Sequence, residues 1–242
     1  VAKFNVFVDG TLLVNNLLLD LPDRECDLIF PRLVAVPLRP RDVLYESGEP
    51  IKYGYFMNSG LASILNVMED GKSVEVGVSG RDGFVGLPLL VGFVSSPSRV
   101  IVQIEAGALR VGARALVKLL QSCPTLDNRL HRHAQVMGLQ SAQLAACNRL
   151  HQVEQRLARW LLICQDLTGS AFVPLTQESL SNVLGAQRSS ITLAAGILQR
   201  AGAISHTPGH VTIIDRNLLE NAACECYGAL VQQASRWKKE SA

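Results

Sequence analysis

The 242-residue chain has no long hydrophobic run. Its longest uncharged apolar stretch, GFVGLPLLVGFV at 83–94, is 12 residues and contains Pro88, short of the roughly 17 to 25 residues that a membrane span needs. Aromatic residues are scarce at 5%, against 48% apolar residues in all, so any core must be built from Leu, Val and Ala. Six cysteines (Cys26, Cys123, Cys147, Cys164, Cys224, Cys226) form no C-x-x-C pair and adjoin no His doublet. Neither a zinc site nor a disulfide framework is indicated, and reduced thiols in a cytosolic protein are expected. The tight CEC at 224–226 alone leaves a metal or redox option open. His131, His133 and His151 lie in a helical stretch, and the i, i+2 pair points to different faces, a poor geometry for one ion. No metal is therefore expected. SGRDGFVG lacks the Lys-Ser/Thr ending of a phosphate loop, and no Ser/His/Asp or paired-carboxylate arrangement stands out. These absences argue against an enzyme. The opening VAKFNVFVDG has neither an initiator Met nor a signal-peptide layout, and reads as a trimmed start.

Net charge is only +2, yet it is uneven: residues 1–120 carry 12 Lys and Arg against 13 Asp and Glu, and residues 121–242 carry 11 against 8. The length suits more than one domain. From Leu33 to Arg110, β-rich runs such as YGYFMNSG, ASILNVM, SVEVGVSG and SRVIVQIE recur every 8 to 15 residues between Gly, Pro, Ser and Asp-Gly turns. That spacing predicts a barrel or sandwich. MEDGKSVEV is the strongest hairpin signal, because Asp70-Gly71 supplies positive φ in a tight turn.

From Ser122 to Leu162 the period becomes helical. Leu130, Ala134, Met137, Ser141, Leu144 and Asn148 alternate in steps of 4 and 3, the spacing of a coiled-coil seam. Such a helix either pairs with its copy or packs on its own domain. Ser141 and Asn148 are polar seam positions, suited to fixing register or, for Ser141, to facing a ligand. After TGSAFVPLT, a linker or short strand, comes LTQESLSNVLGAQRSSITLAAGILQRAGAI. Thr176 is placed to cap a helix beginning near Gln177, with Glu178 at its positive end. Gly185 ends it, and a second helix runs from Gln187 to Arg200. Ile191, Ala194 and Leu198 would pack on Leu180, Val183 and Leu184, leaving Arg188, Ser189, Thr192 and Gly196 outward. Small residues allow close backbone approach to a major groove, and Arg188 can reach guanine O6 and N7. AISHTPGHVTII adds a strand, a Pro-Gly turn flanked by His206 and His210, and a second strand. Two helices and a hairpin in that order make a winged helix-turn-helix.

Over residues 14–228 the chain resembles the Crp/Fnr family of bacterial transcription regulators. The stretch LYESGEPIKYGYFMNSGLASILNVMEDGKSVEVGVSGRDGFVG is similar to that family's cyclic-nucleotide-binding β-roll, the 175–204 stretch to its DNA-binding module, and RLHQVEQRLARWLL to its hinge. The resemblance implies an α+β fold in three segments. These are a β-roll (jelly-roll) sensor at 14–121, a dimerisation helix and hinge at 122–162, and a winged helix-turn-helix domain at 163–242. It also implies DNA contacts by Thr176, Gln177, Gln187, Arg188, Ser189, Thr192, Leu193 and His206. Ser189 and Leu193 stand where many members carry Glu and a second Arg, so a different operator is expected. In the sensor, the ribose-binding Gly-Glu pair is replaced by Gly86-Leu87, followed by Pro88. Ser98 occupies the phosphate-binding Arg position, with Arg99 one residue later and so on the opposite strand face. A phosphate without an opposing cation is costly to bury. Cyclic AMP is not expected, and Ser141, near the family's pocket, leaves room for another small-molecule effector. The implied protein is a cytoplasmic homodimer that binds a near-palindromic double-stranded operator and works through RNA polymerase. The alternative is a ligand-binding regulatory module without strong DNA specificity.

Overall fold

A computed structural model describes residues 6–239, so residues 1–5 of the expected trimmed start and 240–242 of the third segment lie outside the described residues. The chain divides into two compact units: residues up to Ile64 with Val78–Gln135, and Leu65–Gly77 with residues from Val136 on.

The first unit opens with the short hairpin β1 (Phe7–Val8) and β2 (Thr11–Leu12), then α1 (Asp23–Ile29). The strands of the β-roll follow: β3 (Val34–Leu38), β4 (Val43–Tyr45), β5 (Tyr53–Met57), β6 (Leu61–Val67), β7 (Ser73–Ser79), β8 (Phe84–Val85), β9 (Arg99–Ile104) and β10 (Ala106–Gly112). They form two four-stranded sheets in the orders β3-β10-β5-β8 and β4-β9-β6-β7. Alternating side chains fill the space between them. With so few aromatics the core is mostly aliphatic, and Phe56 and Phe84, ring centroids 4.7 Å apart, are its largest buried pair. Helix α2 (Ala113–Leu120) follows, then the 27-residue α3 (Pro124–Leu150). The start of α3 is held by α1, because the Glu25 carboxylate accepts the Thr125 and Leu126 N–H groups at 2.9 Å each. A carboxylate there satisfies orphan donors and complements the helix dipole.

His133 on α3 accepts the Phe84 N–H through Nε2 at 3.2 Å. Burial, opposed by the Asp82 charge, pushes its pKa down from 6.5 to about 4. The folded state thus binds this proton only below the pH at which the unfolded chain already holds it. Stability from His133 is full above pH 6.5 and is lost as pH falls toward 4, a loss of up to about 3 kcal/mol. Urea unfolding at stepped pH should show that slope, and His133→Gln, which keeps an acceptor without titrating, should flatten it; an unchanged slope would contradict the assignment.

The face of α3 expected to form an intersubunit seam is partly covered within the chain itself. Leu130 belongs to the β-roll core, and Met137 and Leu144 are buried as well. Ser141 donates its hydroxyl to the Val76 carbonyl at 2.6 Å. Ala134 and Asn148 are half-buried. The chain's own packing covers the three large apolar residues of this stripe, Leu130, Met137 and Leu144. The stripe one residue further on, His131, Gln135, Gly138, Ala142, Ala145 and Arg149, has the same 4-and-3 spacing and is exposed throughout.

In the second unit the hairpin tip between β6 and β7 is a three-residue loop. Gly71 donates to the Met68 carbonyl, and Met68 N–H to that of Lys72. Only Gly71 of the Asp70-Gly71 pair takes positive φ, at 80°, which fits a turn followed by a glycine bulge in place of the tight turn expected. α3 ends at Leu150, and α4 (Val153–Thr168) begins after Gln152, whose side chain forms a capping box with Gln155. α4 is buried nearly all round from Arg156 to Leu162 and is the unit's central helix. Its Trp160 donates Nε1–H to the buried Glu75 carboxylate of β7 at 2.9 Å. Next come β11 (Phe172–Val173), α5 (Gln177–Leu184), α6 (Arg188–Arg200), β12 (Ile204–Thr207), β13 (His210–Ile213), α7 (Arg216–Ala222) and α8 (Cys226–Lys239). The three strands pair in the order β11-β13-β12.

Candidate nucleic-acid interface

Thr176 caps α5, its hydroxyl accepting the Ser179 N–H at 3.1 Å. Gly185, φ 56°, closes α5 in the left-handed region. A Cβ at Gly185 would also lie 3.0 Å from Val74 Cγ2, so both conformation and space select glycine. Arg156 of α4 donates to the Leu184 carbonyl, placing a cation at the C-terminal end of α5. The helix pair locks through Leu180, Val183 and Leu184 of α5 against Ile191, Ala194, Ala195 and Leu198 of α6, all buried. Because that face is apolar, the opposite one stays open. Gln187, Arg188, Ser189, Thr192 and Leu193 are exposed along the first turns of α6, Leu193 at 63%. Thr192 returns its hydroxyl to the Arg188 carbonyl at 3.0 Å, so it offers chiefly a methyl and a lone pair outward.

Glu178 is a contact that sequence reasoning missed as a pair: its Oε1 lies 2.7 Å from Arg188 Nη2, with both side chains exposed. Such a pair is worth only about 0 to 1 kcal/mol, so it can orient the guanidinium and still yield it to a stronger acceptor. The Thr176 hydroxyl is taken up by its cap, and Gln177 is half-buried in the first turn of α5. The strands β12 and β13, with the Pro208-Gly209 turn between them, form the wing. His206 there is half-buried, and its N–H is held by Gln199 Oε1 of α6 at 2.8 Å.

In the β-roll, Gly86 is buried with φ 129°, a conformation that glycine alone adopts readily, and leads into a five-residue 3-10 helix, Leu87–Val91. Arg99 Nη2 lies 3.2 Å from Glu46 Oε1, while the Ser98 carbonyl accepts the Ser96 hydroxyl at 2.7 Å. A groove of about 590 Å³ opens elsewhere on this unit, lined by Thr11, Ala35, Val36, Pro37 and Ser59 together with residues 105–108. None of Gly86, Leu87, Pro88, Ser98 or Arg99 lines it. The three histidines separate as well: His131 is exposed, His133 turns inward, and the ring of His151 meets Cys147, Cys224 and Cys226. No helix among the described residues is long and apolar enough to cross a membrane.

Comparison with known proteins adds a domain assignment to this geometry. Residues 35–123 match the family model of the cyclic nucleotide-binding domain, and residues 155–222 that of the Crp-like helix-turn-helix domain. No curated protein sequence matches the chain. Among solved structures, FixK2 from Bradyrhizobium japonicum is similar with a TM-score of 0.67 at 16% identity, covering 79% of this chain and 98% of its own. A putative transcriptional regulator of the Crp/Fnr family from Eubacterium rectale gives 0.68 at 16% identity, covering 86% and 97%. The c-di-GMP responsive global regulator CLP from Xanthomonas campestris gives 0.66 at 16% identity, covering 80% and 100%. A cyclic-nucleotide-binding domain followed by a Crp-like helix-turn-helix is the order found in Crp/Fnr transcription regulators, and the chain belongs to that family.

Proposed function

We propose that two copies of the chain bind one near-palindromic operator, each setting the first turns of α6 in a major groove. The half-sites would then lie about one helical turn, roughly 34 to 36 Å, apart. The observation that carries this reading is the α6 face itself: polar, small and led by Arg188, over a side that is wholly buried. Arg188 supplies bidentate readout of a guanine, Leu193 an apolar contact with a thymine methyl, and Ser189 and Thr192 short polar contacts. Gln187, Thr176, Gln177 and His206 border this face and serve the backbone. The three segments 14–121, 122–162 and 163–242 act as sensor, dimer helix with hinge, and DNA-binding domain, and the bound dimer acts on RNA polymerase.

The sensor takes a small-molecule effector other than cyclic AMP. Gly86-Leu87-Pro88 carries no ribose acceptor, and Arg99, the nearest cation in sequence to the phosphate position, is engaged by Glu46. A protein of the same fold that responds to cyclic di-GMP supports effector variety on this architecture. Effector binding acts by biasing two orientations of the DNA-binding domains.

Selection of bound sites from random DNA tests the reading. A two-fold symmetric consensus is expected, and no consensus would refute it. On the selected site, Arg188→Ala should weaken binding by about 1 to 3 kcal/mol and relax preference at one base pair per half-site. Glu178→Gln should change affinity little. Equal weakening by Arg188→Ala on every sequence would assign Arg188 to the phosphates instead.

A further inference from the structure

Four ligand-type side chains that the DNA-binding role leaves unused converge in the second unit. Cys147 lies in the last turn of α3 and His151 just after its end, and Cys224 and Cys226 flank the start of α8. Their donor atoms all lie within 4.8 Å of one another. Cys147 Sγ is 3.5 Å from Cys224 Sγ, and Cys226 Sγ is 3.6 Å from His151 Nδ1. The three cysteines are buried and form a small cluster of their own.

We propose that Cys147, His151, Cys224 and Cys226 bind one tetrahedral thiophilic divalent cation of the zinc type. Around a single ion with metal–sulfur bonds of about 2.3 Å, tetrahedral geometry sets neighbouring donors about 3.6 to 3.8 Å apart. The two distances here, 3.5 and 3.6 Å, match that spacing. An iron–sulfur cluster distributes its thiolates over different irons separated by bridging sulfides, and needs a wider set. Four protein ligands close the coordination sphere, as in structural zinc sites.

The surroundings supply two kinds of support. Gln143 Nε2 donates to Cys226 Sγ at 3.0 Å, and Glu225 Oε1 lies 3.7 Å from His151 Nε2, behind the ring nitrogen that faces the sulfurs. Gln143 is an outer partner of the kind that orients metal ligands, and Glu225 lies at ion-pair distance where it would take that role on closing by about half an ångström. Arg159 of α4, 2% exposed, has two guanidinium nitrogens, Nε and Nη1, without a hydrogen-bond partner among the described residues. Its charge acts on both Cys147 and Cys224. A buried guanidinium is costly beside neutral thiols. Three thiolates and a neutral imidazole on a dication leave one net negative charge, which offsets it. On binding, three S–H protons pass to solvent as three metal–sulfur bonds form.

The site has a structural consequence. Cys147 and Cys224 are 77 positions apart, and the segment between them holds α4 through α7. The ion therefore ties together both ends of the helix-turn-helix and wing, and restricts the unfolded chain as any cross-link does.

The test uses the full chain, reduced and anaerobic, titrated with Zn²⁺ against a chromophoric chelator and separately with Co²⁺. One Zn²⁺ per chain is expected, and the Co²⁺ form should show the intense visible bands and sulfur-to-metal charge transfer of a tetrahedral thiolate site. Cys224→Ser and His151→Ala should each weaken binding roughly 100-fold or more, and Glu225→Gln roughly 10-fold, in line with outer-partner effects. Cys164→Ser, buried elsewhere on α4, should bind like the parent. Because the wild-type spectrum is informative alone, a variant that fails to fold leaves the test standing. Absence of stoichiometric zinc, a pale octahedral cobalt spectrum, a brown protein with acid-labile sulfide, or parent-like affinity in both ligand variants would each overturn the proposal.

Discussion

Replacing Ala142 with glutamate is expected to leave each chain folded and to cut operator affinity by roughly 10² to 10⁴. Ala142 lies on the exposed stripe of α3, between Gly138 and Ala145, with Leu150, 73% exposed, beyond the end of the stripe. Alanine and glycine at successive 4-and-3 positions let two helices approach closely, and an apolar residue next to such a stripe would extend the contact. An isologous two-fold pairing of this stripe would set Ala142 near its own copy, so the substitution places two carboxylates face to face. Because Ala142 is exposed in its own chain, the monomer should melt as before. In the proposed dimer, operator binding should fall because the second half-site contact loses its effective concentration, a factor of about 10² to 10⁴. Sedimentation should report a monomer, and a gel-shift titration should report the lost affinity. As a control, Leu144→Ala on the inward stripe should cost about 2 to 5 kcal/mol of stability and leave the dimer interface intact. If Leu144→Ala dissociated the dimer and Ala142→Glu did not, the outward assignment would be wrong.

That one-residue difference between stripes shows where sequence stops specifying structure. The seven-residue spacing of Leu130, Met137 and Leu144 states that α3 buries a face, and it does. Periodicity cannot say whether the cover is another chain or the same one. A β-roll core received Leu130, and the stripe displaced by one residue has the same spacing but only Gly138, Ala142 and Ala145 as non-polar members, a weaker signal. The helix-turn-helix was legible because its determinants are local: a capping Thr176, an obligatory glycine at Gly185, and complementary apolar faces fall within 25 residues. The cysteine cluster was not, since its two halves are a Cys-x-x-x-His on one helix turn and a Cys-x-Cys 77 positions later. Each half alone is common, and only the fold brings them together. Glu75 is similar: an isolated acidic residue in a strand gave no hint that a tryptophan 85 positions away would receive it.

That buried pair carries the largest stability effect expected in the second unit: Trp160→Ala should cost about 4 to 8 kcal/mol. Trp160 is fully buried at the centre of α4, and truncating such an indole forfeits about 3 to 5 kcal/mol through lost transfer energy and the cavity left behind. Its Nε1–H also serves the Glu75 carboxylate, which is 4% exposed, and leaving a buried charged acceptor short of a donor adds about 1 to 3 kcal/mol. Against a typical total of about 5 to 15 kcal/mol, the unit would be marginal. Trp160→Phe keeps most of the volume and loses the donor, so it should fall between the parent and Trp160→Ala. Glu75→Gln retains an acceptor for the indole and should cost less than Glu75→Ala. The hairpin tip carrying Glu75 and Val74 packs on Trp160 and on the Gly185 turn within one compact unit. Loosening it should therefore lower the stability of the helices that present Arg188, and not that of the β-roll core around Phe56 and Phe84. Hydrogen exchange would separate the two. Faster exchange in α5 and α6 with unchanged exchange in β5 and β10 is the expected pattern, and uniform acceleration through both units would show that Trp160 supports the whole chain instead.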